Sequence, residues 1–149
     1  MLQQTESVHH ITDIIKVMNS GIEFYQKAKE KVDDQSYQGF FNRMIDAKAK
    51  AIFELQPFAV EEKGDLETGT DNLVKARETY TQAVAKLSSN TEFTYVDQLE
   101  EVEDRVLEEL DDALSKEQTP ESEAALLRIK VQAKECHDEM KALQNGIVH

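Results

Sequence analysis

Apolar residues recur at steps of three and four along four long stretches of the chain. The most regular stretch, 96–114, places its apolar residues on one side of a helix: Leu99, Val102, Val106, Leu110 and Ala113. The remaining positions are mostly Asp or Glu, yet Glu103 lies on the apolar side. Such a narrow apolar face must be covered by other helices, so the pattern predicts an all-α protein.

The same spacing predicts four long helices in all, at about 8–32, 37–62, 93–115 and 120–144. Ser7 is the expected N-cap of the first helix, and Thr119 followed by Pro120 predicts the start of the last one. The links at 31–36 and 116–122 are short and polar, so the helices that they join should run antiparallel.

Three glycines and one proline add detail to this pattern. Pro57 should bend or end the second helix near its last turn, and Gly64 follows as a C-cap. Gly21 lies inside the first helix. It indicates either a close crossing of two helices or a glycine that the helix merely tolerates. Gly146, with Ile147 after it, predicts a Schellman ending for the last helix.

The connection at 61–90 is too long for a turn and should contain structure of its own. Residues 72–87 predict a crossover helix, capped by Thr70 or Asp71, with one apolar face: Leu73, Ala76, Tyr80, Ala83, Val84 and Leu87. Its length of about 24 Å would return the chain along a bundle. Four long helices with a helical crossover between the second and third predict a ferritin-like four-helix bundle, forming one domain over 1–149.

The charge balance limits the classes of partner. The 149 residues include 17 Lys or Arg and 30 Asp or Glu, giving a net charge of −13. Nucleic acid and anionic membranes would repel such a chain, so neither is an expected partner. The sequence shows no secretion signal and a single cysteine, Cys136, so we expect a cytoplasmic protein.

Several short segments resemble a known family. They are 19–25 (NSGIEFY) with Ala28 and Glu30, Glu54 to Gln56, and Glu103 with Asp104. Together with the crossover helix they are similar to a bacterial family of uncharacterised four-helix proteins in the ferritin-like superfamily, over roughly 9–143. The resemblance implies a ferritin-like bundle and a link to stress physiology, and it implies no established reaction.

Metal-binding members of that superfamily hold two iron or manganese ions with a Glu from each of two helices and Glu-x-x-His from each of the others. The match in this chain is Glu6 to His9, at the start of the first helix and far from mid-bundle, and 37–62 contains no histidine. We therefore assign no catalytic, cofactor-binding or metal-binding residue from the sequence.

Glu103 instead has a candidate partner in the second helix. Its side chain lies about 40° from the centre of its apolar face, and Lys48 lies on the apolar face of 37–62 at a comparable level. We hypothesise that the Lys48 ammonium stands where relatives hold a metal, because a buried carboxylate needs a partner. The alternative is that both side chains bend out to water. Glu23, by contrast, should face outward.

Three further residues have ordinary structural explanations. Cys136 on the last helix is expected to be a small core residue rather than a reactive thiol. His137 should contact solvent or a neighbouring carboxylate. Tyr25 should be a core residue whose hydroxyl is hydrogen-bonded.

These observations favour a non-catalytic bundle that acts through self-association or protein partners, forming a homo-oligomer such as a dimer. The expected contact patch consists of apolar residues outside or at the edge of the inward faces: Phe40, Phe53, Leu107 and Leu127. One alternative is a dimetal (iron or manganese) oxidoreductase that uses carboxylates of 93–115 and His137. Another is a stress-related module that captures a basic helix on its acidic face.

Overall fold

The computed structural model describes residues 8–146, which form five helices and no strand. The helices are α1 (Ile11–Lys31), α2 (Gln35–Lys63), α3 (Asn72–Leu87), α4 (Thr91–Leu114) and α5 (Pro120–Gly146). None of these helices is long and apolar enough to cross a membrane. The all-α prediction is therefore confirmed, and α3 has the bounds predicted for the helix at 72–87.

The four long helices pack around one apolar core as antiparallel neighbours: α1 on α2 and α4, and α5 on α4 and α2. Contacts near both ends of a pair establish the directions. Between α2 and α5 they are Arg43–Glu139 and Glu54–Arg128, and between α4 and α5 they are Asp97–Gln144 and Asp111–Lys130. Because α2 and α4 both run opposite to α1, they run parallel to each other. That relation requires the long connection in which α3 lies.

One predicted helix end is wrong. The first helix begins at Ile11 rather than near residue 8, because His10 adopts a left-handed backbone conformation with φ 64°. The expected cap Ser7 and the expected contact of Ile147 lie outside the described residues. The second helix ends at Lys63, one residue from the predicted end, so Pro57 does not end it. The helix tolerates Pro57 because this side is exposed, so water can reach the Phe53 carbonyl that loses its donor.

The other predicted caps are present. Gly64 ends α2 with φ 87°, and Thr119 accepts a hydrogen bond from the Ser122 N–H at the start of α5. Of the two candidates for α3, Asp71 is the cap, accepting from the Val74 N–H at 3.0 Å.

Side chains of α1 and α2 hold the loop that leads into α3. The Gln56 amide pairs with both the N–H and the carbonyl of Glu67. Asn19 donates to the Gly69 carbonyl at 2.9 Å, and the Ser20 hydroxyl accepts from the Asp71 N–H at 2.7 Å. The loop backbone is therefore hydrogen-bonded to the bundle, and α3 begins at a defined place over the groove between α1 and α4.

The apolar face of α3 points away from the bundle. Leu73 and Tyr80 are each 62% exposed, and Leu87 is 91% exposed. The buried positions are Val74 and Thr81 on a neighbouring side of the helix. Polar contacts set this rotation, because α3 is tied to its neighbours through Asp71–Arg105, Lys75–Glu23 and Arg77–Gln98.

Asp71 makes the attachment of α3 sensitive to acid. Burial opposes its ionisation, but hydrogen bonds from Arg105 and Val74 and the Arg105 charge outweigh that effect, so the pKa of Asp71 is lowered. A carboxylate with a lowered folded-state pKa stabilises the fold above its unfolded-state pKa, and this contribution is lost as pH falls through the folded-state pKa. We expect Asp71→Asn, which can still cap α3, to flatten the fall in stability below about pH 4.

Urea unfolding of both proteins at several pH values measures this difference. The matched control is Asp65→Asn, in the same loop but exposed and without an ion pair in the described structure. The explanation is wrong if Asp71→Asn and the wild type lose stability in parallel as the pH falls.

Candidate functional site

An ion pair lies in the interior of the bundle, between α2 and α4. Lys48 Nζ and Glu103 Oε2 are 2.5 Å apart, and the two side chains are only 4% and 1% exposed. The residues that line the space beside the pair are mostly apolar, with Gln132 as the exception. The hypothesis that Lys48 and Glu103 meet inside the bundle agrees with this geometry, whereas the alternative, that both bend out to water, does not.

Tyr25 of α1 completes the cluster. Its hydroxyl donates to the same Oε2 atom of Glu103 at 2.5 Å, and its ring centroid lies 5.0 Å from Lys48 Nζ. Burial, followed by the charge of Glu103, raises the pKa of Tyr25 well above its usual value, so the phenol keeps its proton. Tyr25 is thus the core residue with a bonded hydroxyl that the sequence predicts, and three helices meet at one carboxylate oxygen.

Gly21 gives the Lys48 side chain the space to reach this position. A Cβ atom at Gly21 would stand 3.1 Å from Lys48 Cε and 3.3 Å from Val102 Cγ1. Both distances are tighter than ordinary van der Waals contact. Of the two explanations for this glycine, the close crossing is the one that the structure supports.

A small cavity lies beside the pair, lined by residues that include Met18, Ala51 and Cys136. Its volume of about 20 Å³ is sufficient for a single water molecule. Burial raises the pKa of the Cys136 thiol to about 11, so a thiolate is disfavoured there. This agrees with the prediction that Cys136 is a core residue.

A second cluster of titratable groups joins α4 to α5. His137 Nε2 lies 3.0 Å from Glu100 Oε2 and 2.7 Å from Asp104 Oδ1, and its Nδ1 lies 3.3 Å from Asp138 Oδ1. Burial opposes protonation of the ring, but the bond with Asp138 and the charges of Asp104 and Glu100 outweigh it and raise the pKa of His137. Burial, then the nearby Asp104 charge, raises the pKa of Glu100.

Of the two contacts that the sequence leaves open for His137, solvent or a neighbouring carboxylate, the structure shows the carboxylate, and the sequence does not single out Glu100. The spacing of Glu100 and Asp104, i and i+4, places both on one side of α4 and could have indicated a shared partner. That partner comes from α5, and only the packing of α4 on α5 brings it there.

The remaining predicted positions divide between surface and core. Glu23 is exposed, as expected, and pairs with Lys75 at 2.9 Å. In the predicted contact patch, Phe53 is 84% and Leu127 is 50% exposed, whereas Phe40 and Leu107 are half-buried against the core. His9, which completes the Glu-x-x-His match that we assign to no metal, is exposed, and Glu6 lies outside the described residues.

These observations define, over residues 8–146, an all-α fold of five helices with a buried Lys–Glu–Tyr cluster. The chain belongs to a family described as a domain of unknown function (DUF2383), whose model matches residues 6–116. The matched range contains all three residues of the core cluster. No curated protein and no solved structure gives a significant match to the chain.

Proposed function

We propose that this chain is a non-catalytic bundle of the ferritin-like type that acts through self-association. The topology supports the ferritin-like assignment. Two antiparallel pairs are joined by a long connection, and the second and third long helices are parallel, as expected for a bundle with one long crossover.

The Lys48–Glu103 pair is the observation that carries the non-catalytic part of the proposal. In metal-binding ferritin-like bundles, carboxylates and histidines from facing helices project into the core and hold two cations. Here the interior carboxylate is already neutralised by an ammonium and hydrogen-bonded by Tyr25. A cation at this place would be repelled by the Lys48 charge and would have to displace its hydrogen bond.

The competing proposal is a dimetal oxidoreductase with an altered ligand set. One observation favours the oxidoreductase: two carboxylates of α4, Glu100 and Asp104, lie close to His137. Metal analysis of protein purified without a histidine tag separates the two proposals. Two iron or manganese ions per chain in the wild-type protein would support the oxidoreductase and exclude the non-catalytic bundle.

The outer face of α3 is the surface we propose for self-association, with a second copy of the chain as its occupant. The α3 stripe, as we call it, has the spacing of a coiled-coil seam and consists of Leu73, Ala76, Tyr80, Ala83 and Leu87. The two alanines permit two helices to approach closely. Exposed apolar residues in such a continuous row are typical of an interaction site.

Charge supports the same surface. The α3 helix contains Lys75, Arg77 and Lys86 against the single acid Glu78, whereas the whole chain carries −13. The acidic residues concentrate on α4, where ten Asp or Glu stand against Arg105, so two copies that meet through α4 bring like charges together, which is unfavourable. Meeting through α3 places the least acidic part of each molecule at the contact.

The expected result is a dimer in solution that depends on the α3 stripe. Tyr80→Glu with Leu87→Glu places charges on two exposed positions of the stripe, so the doubly substituted chain should be monomeric. Size-exclusion chromatography with light scattering measures the mass of each protein across a range of concentrations.

Phe53→Glu is the matched control, because Phe53 is equally exposed but lies on α2, in the patch expected from the sequence. The Phe53 variant should remain a dimer. If Phe53→Glu breaks the dimer while the α3 variant does not, the interface lies on α2 instead. A wild-type monomer at every concentration would rule out self-association.

We also propose a cytoplasmic location and a stress-related role for the protein. The sequence supports the location, and the resemblance to the family of uncharacterised four-helix proteins supports the stress-related role. Comparing the survival of a bacterial strain that lacks the gene with that of its parent, under oxidative, acid and osmotic stress, tests the second of these. Equal survival under all three would contradict the stress-related role.

A further inference from the structure

We infer that Glu100, Asp104 and His137 form a binding site for one divalent transition-metal cation of the Zn²⁺ type, between α4 and α5. The inference is independent of the proposed function, because the ligands are not the residues of the core cluster. On α4, Glu100 and Asp104 lie about 60° and 100° around the helix from Glu103. The cation would therefore sit beside the core pair, toward α5, rather than in its place.

The geometry of the three ligand atoms fits a single ion. In a tetrahedral site, ligand atoms about 2.0–2.2 Å from Zn²⁺ stand roughly 3.3–3.6 Å from one another. His137 Nε2 is 3.0 Å from Glu100 Oε2 and 2.7 Å from Asp104 Oδ1, and all three atoms lie within 4.8 Å of one another. The side chains would move apart by about 0.3–0.9 Å to place one cation between them, with a fourth position for water.

The burial of Glu100 is a separate indication of a ligand. Its side chain is about 5% exposed, although Glu is rarely buried without a partner. Within residues 8–146 the carboxylate has one recorded polar partner, the His137 imidazole, whose charge depends on its protonation. A divalent cation would neutralise both carboxylates and satisfy Glu100 more completely than the ring alone.

His137 is also held as metal-binding histidines commonly are. Its Nδ1 atom, opposite the proposed metal-binding nitrogen, lies 3.3 Å from the Asp138 carboxylate. Carboxylates in this position fix the orientation of the ring and raise its basicity toward the metal. Two carboxylates alone would suit Mg²⁺ or Ca²⁺, but the imidazole favours Zn²⁺ over both.

A second group on the same chain offers a matched comparison. His10, Asp13 and Glu109 also bring three possible ligand atoms within 4.8 Å. Asp13 is exposed, and neither His10 nor Glu109 is buried. This group lacks a buried carboxylate, so we do not expect it to bind a cation in the same concentration range.

Isothermal titration of Zn²⁺ into chelator-treated, tag-free protein tests the inference. We expect one strongly bound Zn²⁺ per chain, weaker Mn²⁺ and no comparable binding of Mg²⁺. His137→Asn should weaken Zn²⁺ binding by about 100-fold or more, Asp138→Asn by about 10-fold, and His10→Asn should leave it unchanged. Visible spectra of the Co²⁺-loaded protein should lose their bands in His137→Asn and keep them in His10→Asn.

Circular dichroism checks that each variant is folded, and Asp104→Asn, at a half-buried position, serves if His137→Asn does not fold. Unchanged Zn²⁺ affinity in the substituted protein would overturn the inference. So would loss of binding in His10→Asn, or Mg²⁺ binding as tight as Zn²⁺ binding, since the latter indicates a diffuse acidic surface. These results leave the α3 dimer untouched, so the two proposals fail separately.

Discussion

Replacing Glu103 with Gln is expected to lower the free energy of unfolding by about 3–5 kcal/mol, the cost of breaking a buried ion pair. The substitution leaves the Lys48 ammonium in an apolar interior without its counter-charge. It also replaces the carboxylate that accepts the hydrogen bond from the Tyr25 hydroxyl. Urea unfolding monitored by circular dichroism measures the change.

The double substitution Lys48→Met with Glu103→Leu tests whether the unpaired Lys48 charge is the cause of the lost stability. Removing both charges removes the desolvation penalty but leaves the buried Tyr25 hydroxyl without its acceptor, at a cost of about 1–3 kcal/mol, so the double variant should be more stable than Glu103→Gln and less stable than the wild type. Glu139→Gln is the matched control, because its pair with Arg43 is largely exposed, and we expect a change within about 0.5 kcal/mol. A Glu103→Gln loss as small as that of the control would contradict burial of the pair.

Gly21→Leu is expected to destabilise the fold by about 3 kcal/mol, through overpacking. The new side chain would occupy the space of the Lys48 methylenes and of Val102, where even a Cβ atom is too close. The Lys48 side chain is also held at its far end by the bond from Nζ to Glu103. The same unfolding experiment gives the size of the effect.

Gly39→Leu is the control for this prediction. Gly39 is also inside a helix, but it is exposed, and a Cβ atom there would meet only Arg43 Nη1, at 3.9 Å. The gain in helix propensity should stabilise the chain by about 0.5–1 kcal/mol. Equal effects of the two substitutions would mean that the crossing at Gly21 is not tight.

The resemblance segments have a physical explanation in the structure. Asn19, Ser20 and Gln56 hold the backbone before α3, and Gly21 makes room for Lys48. Tyr25 and Glu103 form the core cluster with that lysine. The segments that resemble the family are therefore those that position the crossover and the buried ion pair.

Sequence periodicity was sufficient to predict the helices, because the apolar face that a helix buries is set by the spacing of residues within that segment. It also placed Glu103 and Lys48 on inward faces. It could not decide whether they pair, because long side chains near a core can reach water unless neighbouring helices close around them. The packing of α1 against both α2 and α4, at Gly21, closes that route.

By itself, the sequence determined the five helical segments, most of their caps and the inward position of the core pair, since these depend on spacing and on local hydrogen bonds. Only the tertiary structure decided that the apolar side of α3 faces outward, because Arg105, Glu23 and Gln98 on other helices set its rotation. It alone also brought His137 to Glu100 and Asp104. Contacts between helices depend on how the helices pack. The spacing of residues within one helix does not indicate which residues of a neighbouring helix lie opposite them.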